Sequence, residues 1–596
     1  TNTVAAPNGT TTGMTFAPDQ QLPDGSGKFT SDGSAYAFVQ NTISVPGAGN
    51  QSQILCYPVV SGIVNTSGSA ILVTRDPGPA KSGVRGLKFS GKTFNDPFSP
   101  PGTTINNNLW AFWSGGARNR SAISFSSADT TATNGPVFGK SAVLPIPAGL
   151  VSVSDPSATL ISIPKGTTTT PIPAIEVTYT GIAPDGNADI YVSRYQPYYV
   201  RDAKNAPTVQ IGLALIPSPL ITEQLQADAG NLYWQARDVG WLRSAALNVF
   251  VNNTNVLLNK TPTFDRATNT LAYINVSLPD PAGNPKLGTV YVDLARGRVR
   301  FSPALPNNAA VYAMFYAQAR RITTDSRADT NPVAFLDPTY KENEAGFRNT
   351  AAGTPIPRVQ TDRYWYIWRK SGSSGTSTTP TLYYKSQRLT VELRDANNKP
   401  VSLLLNNGLP QVTVTDSAGG SLYDPASGGV VDVDWVRGRL YFPMVYFKGG
   451  GNSEALEGQT VTVAFSYKDN AGKTQSSTVT PIVHWLDEVR NNDLQNQPSG
   501  GGPIGAAASM ETAIPIDTIT NESNVSAFLD PLAFGNVAGG AYDLGGSLTH
   551  TDANGNAVPN ADQPHKIWLF WNSTRNGTAD IYYETIEPKF AAKPGT

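Results

Sequence analysis

Val290-Tyr-Val-Asp-Leu-Ala-Arg-Gly-Arg-Val-Arg-Phe301 reads as a strand, a tight turn and a second strand, and it occurs twice. It returns as Val431-Asp-Val-Asp-Trp-Val-Arg-Gly-Arg-Leu-Tyr-Phe442. Asp293, Arg296, Gly297, Arg298 and Phe301 map onto Asp434, Arg437, Gly438, Arg439 and Phe442, each 141 residues later. The glycine permits a positive φ or a bulge, and the two arginines around it point to the same side. Phe301 and Phe442 then re-enter a core. The pattern predicts a hairpin braced by a salt bridge from the aspartate to at least one arginine. Upstream, Leu247–Val251 is matched to Leu389–Leu393 at a spacing of 142, and downstream Val311–Tyr316 resembles Val461–Tyr467. A nearly constant offset over so long a stretch marks a duplicated domain.

The rest of the chain agrees with a β reading. Leu389-Thr-Val-Glu-Leu393, Thr460-Val-Thr-Val-Ala-Phe-Ser-Tyr467 and Ala579-Asp-Ile-Tyr-Tyr-Glu-Thr585 alternate between turn signals such as Asp395–Pro400 and Asn576-Gly577. Such alternation is the mark of half-buried strands. The 55 glycines and 46 prolines are spread throughout, and a proline inside a helix costs about 3 kcal/mol. Only Ile221–Ala227 and His484–Leu494 read as short helices. The fold class expected is all-β and multidomain.

A second repeat is aromatic. Trp110-Ala-Phe-Trp113, Trp365-Tyr-Ile-Trp368 and Trp568-Leu-Phe-Trp571 each lead through a polar turn into a second aromatic strand. Those strands are Ala122–Phe125, Thr381–Tyr384 and Asp580–Tyr583. The hairpins follow Phe94-Asn-Asp-Pro97, Ala334-Phe-Leu-Asp-Pro338 and Ala527-Phe-Leu-Asp-Pro531. A spacing of three puts the two tryptophans on opposite faces of one strand. One face packs inward, and the other meets a neighbouring sheet or subunit.

Phe570-Trp-Asn-Ser-Thr-Arg-Asn-Gly-Thr-Ala-Asp-Ile-Tyr-Tyr583 resembles the strand-turn-strand of a TolB-type β-propeller blade. Asp395-Ala-Asn-Asn-Lys-Pro-Val401 and Asp552-Ala-Asn-Gly-Asn-Ala-Val558 resemble the turn of bacterial Ig-like surface-protein domains. That second resemblance implies tandem Ig-like β-sandwiches beside the tryptophan-rich β-hairpin modules, with roles in adhesion, spacing or assembly. The chain divides into an N-terminal β region with the first hairpin (1–230), an Ig-like domain (231–325) and the second hairpin module (326–388). A second Ig-like domain (389–480) and a linker or arm with the third hairpin (481–596) complete it. The three hairpins form either separate modules or one discontinuous domain carrying Ig-like insertions. The Gly/Pro/Ala-rich stretch from Pro498 to Ala508 reads as an extended arm that packs on a neighbouring subunit.

Composition excludes several classes. The 44 basic and 45 acidic residues give a net charge of −1, and charged residues are only 15% of 596. Nucleic acid is not an expected partner, because phosphate affinity needs clustered Lys and Arg. The longest apolar run, Ala309–Ala317, is too short for a membrane-spanning helix of about 20 residues. Cys56 is alone and reads as a buried apolar thiol. The histidines are His484, His550 and His565. No nucleophile elbow, P-loop or H-E-x-x-H motif occurs.

Candidate sites are few. Asp337 and Asp530, each before a proline, would suit paired-carboxylate work on a glycan, but Asp-Pro reads first as a turn starter. The Arg-Gly-Arg turns would suit an anionic polymer, although pairing with Asp293 and Asp434 is the plainer role. Asp552, Asn554, Asn556 and Asp562 offer oxygen ligands at calcium-like spacing, with Asn560 between them, and Asp185–Asp189 is a weaker version. Trp110, Trp365 and Trp568 would stack on sugars if exposed, though core packing is the first reading. No catalytic residue and no cofactor other than calcium is expected.

The function expected is a non-enzymatic extracellular structural protein that self-assembles into a surface layer, sheath, tube or filament, with copies of itself as partner. The alternative is a carbohydrate-binding or carbohydrate-cleaving surface protein with a propeller-like aromatic site, which would make glycans the partner. Low charge, abundant Thr, Asn, Ser and Gly and an all-β repeat architecture suit the outside of a cell, and Thr1 in place of an initiator methionine reads as processing or renumbering. Asn65, Asn119, Asn275, Asn572 and Asn576 stand in N-x-S/T sequons.

Overall fold

The computed structural model describes residues 9–487 apart from 338–358, 371–380 and shorter loop segments. Beyond 487 it describes the backbone of seven strands between 512 and 586. The described residues are strand and turn with no helix, so the chain is all-β. Ile221–Gln224 and His484–Asp487, expected as helices, are strands. Each lies beside a longer strand with free backbone groups, pairing with Val311–Phe315 and Gln387–Thr390 respectively. A completed ladder outweighs local propensity.

Four antiparallel meanders carry the tryptophan hairpins and one relative that lacks them. They begin with Ser82–Phe89, Ser152–Pro164, Asp329–Asp337 and Ser523–Leu529. These four first strands touch one another in chain order. The second and third strands are Leu109–Ser114 with Ile123–Ala128, Pro171–Ile182 with Ala188–Arg201, Arg363–Lys370 with Thr381–Glu392, and Ile567–Ser573 with Asp580–Ile586. In the second meander tyrosine replaces tryptophan. Tyr179 and Tyr191 stack across the strand pair with ring centroids 6.5 Å apart.

Both faces of a tryptophan strand are covered. Trp110 belongs to the largest core, whereas Trp113 points the other way into a smaller core with Ala17, Phe38, Ile54 and Cys56. That smaller core lies under the N-terminal sheet of Gly9–Gln20, Ala35–Val45, Gly49–Val60 and Ile71–Pro77. Trp365 and Trp368 are likewise fully buried.

Each Arg-Gly-Arg repeat lies in an excursion that leaves a meander and returns to it. Residues 217–316 depart after Pro207–Ile216 and come back as Ala317–Arg321, whose end pairs with Tyr191 and Val192. Residues 393–483 depart from Thr381–Glu392 and come back as His484–Asp487 beside that same strand. The first excursion places a four-stranded and a six-stranded sheet around a core of its own, including Val249, Leu271, Val290, Val299, Phe301 and Phe315. The second merges into the main core. Thr381–Glu392 is long enough to pair with the tryptophan strand at one end and with Arg439–Phe442 at the other.

Pairing corrects one repeat assignment. Leu389–Glu392 lies against Arg439–Phe442, and the strand holding that place against Arg298–Ser302 is Tyr233–Gln235. Asn248–Val251 instead corresponds to Val412–Thr415, since the two pair with the matching strands Val311–Phe315 and Thr462–Lys468. The offset is therefore not constant; loop lengths between the strands differ. The Arg-Gly-Arg turns themselves coincide. Gly297 and Gly438 both have φ of 61°, and in each turn the amide of the first arginine donates to the aspartate at 3.1 Å.

Candidate functional site

The two returning strands meet at one cavity of about 760 Å³. Its walls come from Ala188–Arg201, Ile221–Gln224, residues 235–238, Ala317–Arg321, the end of Thr381–Glu392 and residues 480–487. The chain is poor in charge, yet this cavity is dense with it.

Most of the charge is paired. Glu176 and Arg194 sit opposite each other on adjacent strands, 2.9 Å apart. Arg194 also reaches Glu457 of the second excursion at 2.9 Å, and Arg320 approaches Glu176 at 3.5 Å. Arg237 of the first excursion and Lys385 both bind Asp487, at 3.2 and 3.1 Å. Glu392 binds Arg439 at 3.1 Å and also pairs with Arg394. Burial opposes charge on Asp487, but Arg237 and Lys385 hold its carboxyl well below the usual range.

Glu223 and Asp238 stand outside these pairs. Glu223 accepts a 2.6 Å hydrogen bond from the amide of Arg237. Burial, reinforced by the charge of Asp238, pushes Glu223 up to about 8. Burial also raises Asp238, to about 6, against the pull of Arg320 and Arg237. The Asp238 carbonyl accepts from the Trp241 indole at 2.9 Å, which fixes the segment. His484 completes the polar lining. Its Nδ1 lies 3.0 Å from the Ile482 carbonyl, which can only accept, so Nδ1 carries the proton and Nε2 keeps its lone pair. Burial lowers the His484 pKa and favours the neutral ring. Two neighbouring carboxyls that protonate in different ranges are equipped for acid/base work near neutral pH.

None of the residues singled out in the sequence as glycan carboxylates is here. Asp337 is fully buried at the end of its strand, opposite Arg363, and Asp530 lies outside the described residues. Trp110 and Trp365 have no exposed face, so they do not form an aromatic sugar cleft; the side chain of Trp568 lies outside the described residues. The calcium candidates Asp552, Asn554, Asn556 and Asp562 have no described side chains, and Asp185 is likewise outside; Asp189 is buried and paired with Arg321 at 2.9 Å. Residues 498–508 and the side chains of His550 and His565 also fall outside the described set. Cys56 is buried, and burial raises its thiol pKa. The braces form within the chain: Asp293 meets Arg296 and Arg298 at 3.0 and 3.2 Å, and Asp434 meets Arg437 at 2.7 Å. Several cavity residues stand in stretches that the sequence marks for other reasons, among them His484, Glu392 and Arg439, which pairs with Glu392 while Arg437 takes the aspartate. Glu223 and Asp238 left no motif; their trace was charge at strand ends, as in Arg237-Asp238 and Arg320-Arg321.

No protein-family model and no curated protein matches the chain. Solved structures similar to it include two from A. japonicus. The crystal structure of A. japonicus CB05 matches with 8% identity and a TM-score of 0.18, over 48% of this chain and 64% of that one. A fructosyltransferase from A. japonicus matches with 10% identity and a TM-score of 0.20, over 79% of this chain and 88% of that one. Likeness this slight carries no argument for a shared fold or activity. The expectation of a non-enzymatic protein is withdrawn on the geometry of the cavity itself, where Glu223 and Asp238 lie together with raised pKa values. That expectation had rested on missing motifs, and a carboxyl pair assembled from separate segments has none.

Proposed function

We propose that the chain binds, and through Glu223 and Asp238 cleaves, a carbohydrate in this cavity. The observation that supports it is one pair of carboxyls left out of the surrounding ion pairs in a 760 Å³ space. Glycoside cleavage uses a protonated carboxylic acid on the leaving oxygen and an ionised partner. Glu223, the more basic of the two, takes the acid role, and Asp238 is the ionised partner at neutral pH. The planar guanidinium and carboxylate groups around them suit a ligand rich in hydroxyls, with Tyr312 and Trp485 as apolar surface. Under this reading the protein acts outside the cell, where its composition points.

The test is a panel of neutral oligosaccharides assayed for reducing ends and for binding. Glu223→Gln and Asp238→Asn should each lower turnover by about 10²–10⁴. If no oligosaccharide is bound or cleaved, or both variants keep full turnover, the reading fails.

A second reading, self-assembly, draws on the N-terminal sheet. Met14, Val39, Leu55 and Leu72 form one cross-strand row, with Met14 and Leu72 at its two ends 47% and 45% exposed and Phe16 on the same face. Light scattering of the pure protein tests it; a monomer at high concentration refutes it.

A further inference from the structure

The six-stranded sheet of the first excursion bears a second concavity, of about 390 Å³, on its outer face. Strand register arranges one row across five strands: Tyr233, Arg300, Tyr291, Ala272 and Thr263. Two tyrosines flank an arginine, and two small residues follow, so the row falls from a ridge to a floor at Ala272. The Arg300 guanidinium lies 4.0 Å from the Tyr291 ring centroid, which orients it. In the next row Arg298 is occupied by Asp293. No carboxylate among the described residues makes an ion pair with Arg300.

The second repeat has lost this surface. Tyr441 stands in place of Arg300 and Asp432 in place of Tyr291. Both are buried, with Arg388 over the Tyr441 ring at 3.8 Å and paired to Asp432 at 2.9 Å. The same sheet is packed away in one copy and left open, with a different row, in the other.

We infer that this face of the first repeat is a binding site for a carboxylated polysaccharide, a uronate chain whose carboxylate is held by Arg300. A guanidinium grips a carboxylate through two parallel hydrogen bonds. Around it, the hydroxyls of Thr263 and Thr270 already donate to the carbonyls of Ala272 and Thr268, leaving lone pairs for ligand hydroxyls. Strands about 4.8 Å apart make the row roughly 19 Å long, room for a short oligosaccharide. A single uncompensated cation is too little for a nucleic acid, whose affinity rests on many phosphate contacts. An acidic peptide offers few hydroxyl donors for the threonine edge.

Calorimetry of the full chain with oligogalacturonate tests this. Binding is expected, with none to the methyl-esterified oligomer. Arg300→Gln should weaken binding at least about tenfold. Ala272→Leu, which fills the floor and leaves every charge in place, should do the same with the melting temperature unchanged. Glu223→Gln with Asp238→Asn should leave this binding intact, which separates the site from the cavity. No binding by the wild type, or binding that survives both Arg300→Gln and Ala272→Leu, overturns the inference. So does preference for a sulfated galactan or for polyglutamate over oligogalacturonate.

Discussion

The guanidinium of Arg194 lies 2.9 Å from the carboxylate of Glu457, 263 positions further along the chain, and both are buried. Arg194 belongs to a meander strand and Glu457 to the second excursion. Removing one partner of such a pair strands a charge away from water. Arg194→Ala, which strands Glu457 and leaves Glu176 with Arg320 alone, should cost about 3–5 kcal/mol of stability in urea unfolding. Arg194→Met with Glu176→Gln and Glu457→Gln should recover much of that loss. A loss below about 1 kcal/mol for Arg194→Ala would show that water reaches the network.

The carboxyl pair predicts a pH effect with a definite sign. Glu223 titrates at about 8 when folded, against an ordinary value of 4.5. Between those limits the folded state holds a proton that the unfolded state has released, so stability falls as pH rises from about 4.5 to 8. Glu223→Gln removes this dependence and should be the more stable protein at pH 8, by about 2–4 kcal/mol. Melting curves of wild type and variant at pH 5 and 8 measure it. Curves separated equally at both pH values would refute the shifted carboxyl.

Trp110 and Trp113 are equally buried but differ in their indole nitrogens. Trp110 donates to the Asn107 carbonyl at 3.0 Å, while the Trp113 N–H has no hydrogen-bond acceptor among the described residues. Replacing each by phenylalanine removes similar volume. Trp110→Phe should therefore cost about 1–2 kcal/mol more than Trp113→Phe, because it also orphans a carbonyl. Equal losses in chemical denaturation would mean that Trp113 has found a partner such as water.

Much of the architecture was legible because it repeats. Period-two alternation and turn residues identified the all-β class, and the recurring W-x-x-W exposed three of the four meanders. The fourth escaped notice because Tyr179 and Tyr191 fill its core in place of tryptophan. Matching Leu247–Val251 to Leu389–Leu393 failed for a related reason. Two apolar alternating strands look alike, and only hydrogen-bond partners tell which is which. The cavity was the least legible part. Glu223 lies in a strand and Asp238 in the short segment before Val239–Trp241, and what shifts their acidity is burial beside one another, which no local pattern encodes.

The duplicated turns offer a paired experiment on that cavity. Gly297 and Gly438 share a left-handed backbone, where an alanine is strained by about 1–2 kcal/mol. Their surroundings differ. A Cβ on Gly297 would overlap the backbone carbonyl of Asp238, whereas one on Gly438 would overlap that of Val401. Both alanine variants should lose stability, by about 2–4 kcal/mol once the displaced carbonyl is included. Only Gly297→Ala pushes on the segment that carries the Asp238 carboxyl. It should therefore shift the pH profile of ligand binding or turnover in the cavity, while Gly438→Ala leaves that profile unchanged at temperatures where both remain folded. Equal effects of the two variants on the profile would show that the cavity responds to general loosening of the fold. An unchanged profile in Gly297→Ala would show that Asp238 is held by its other contacts, among them the Trp241 indole.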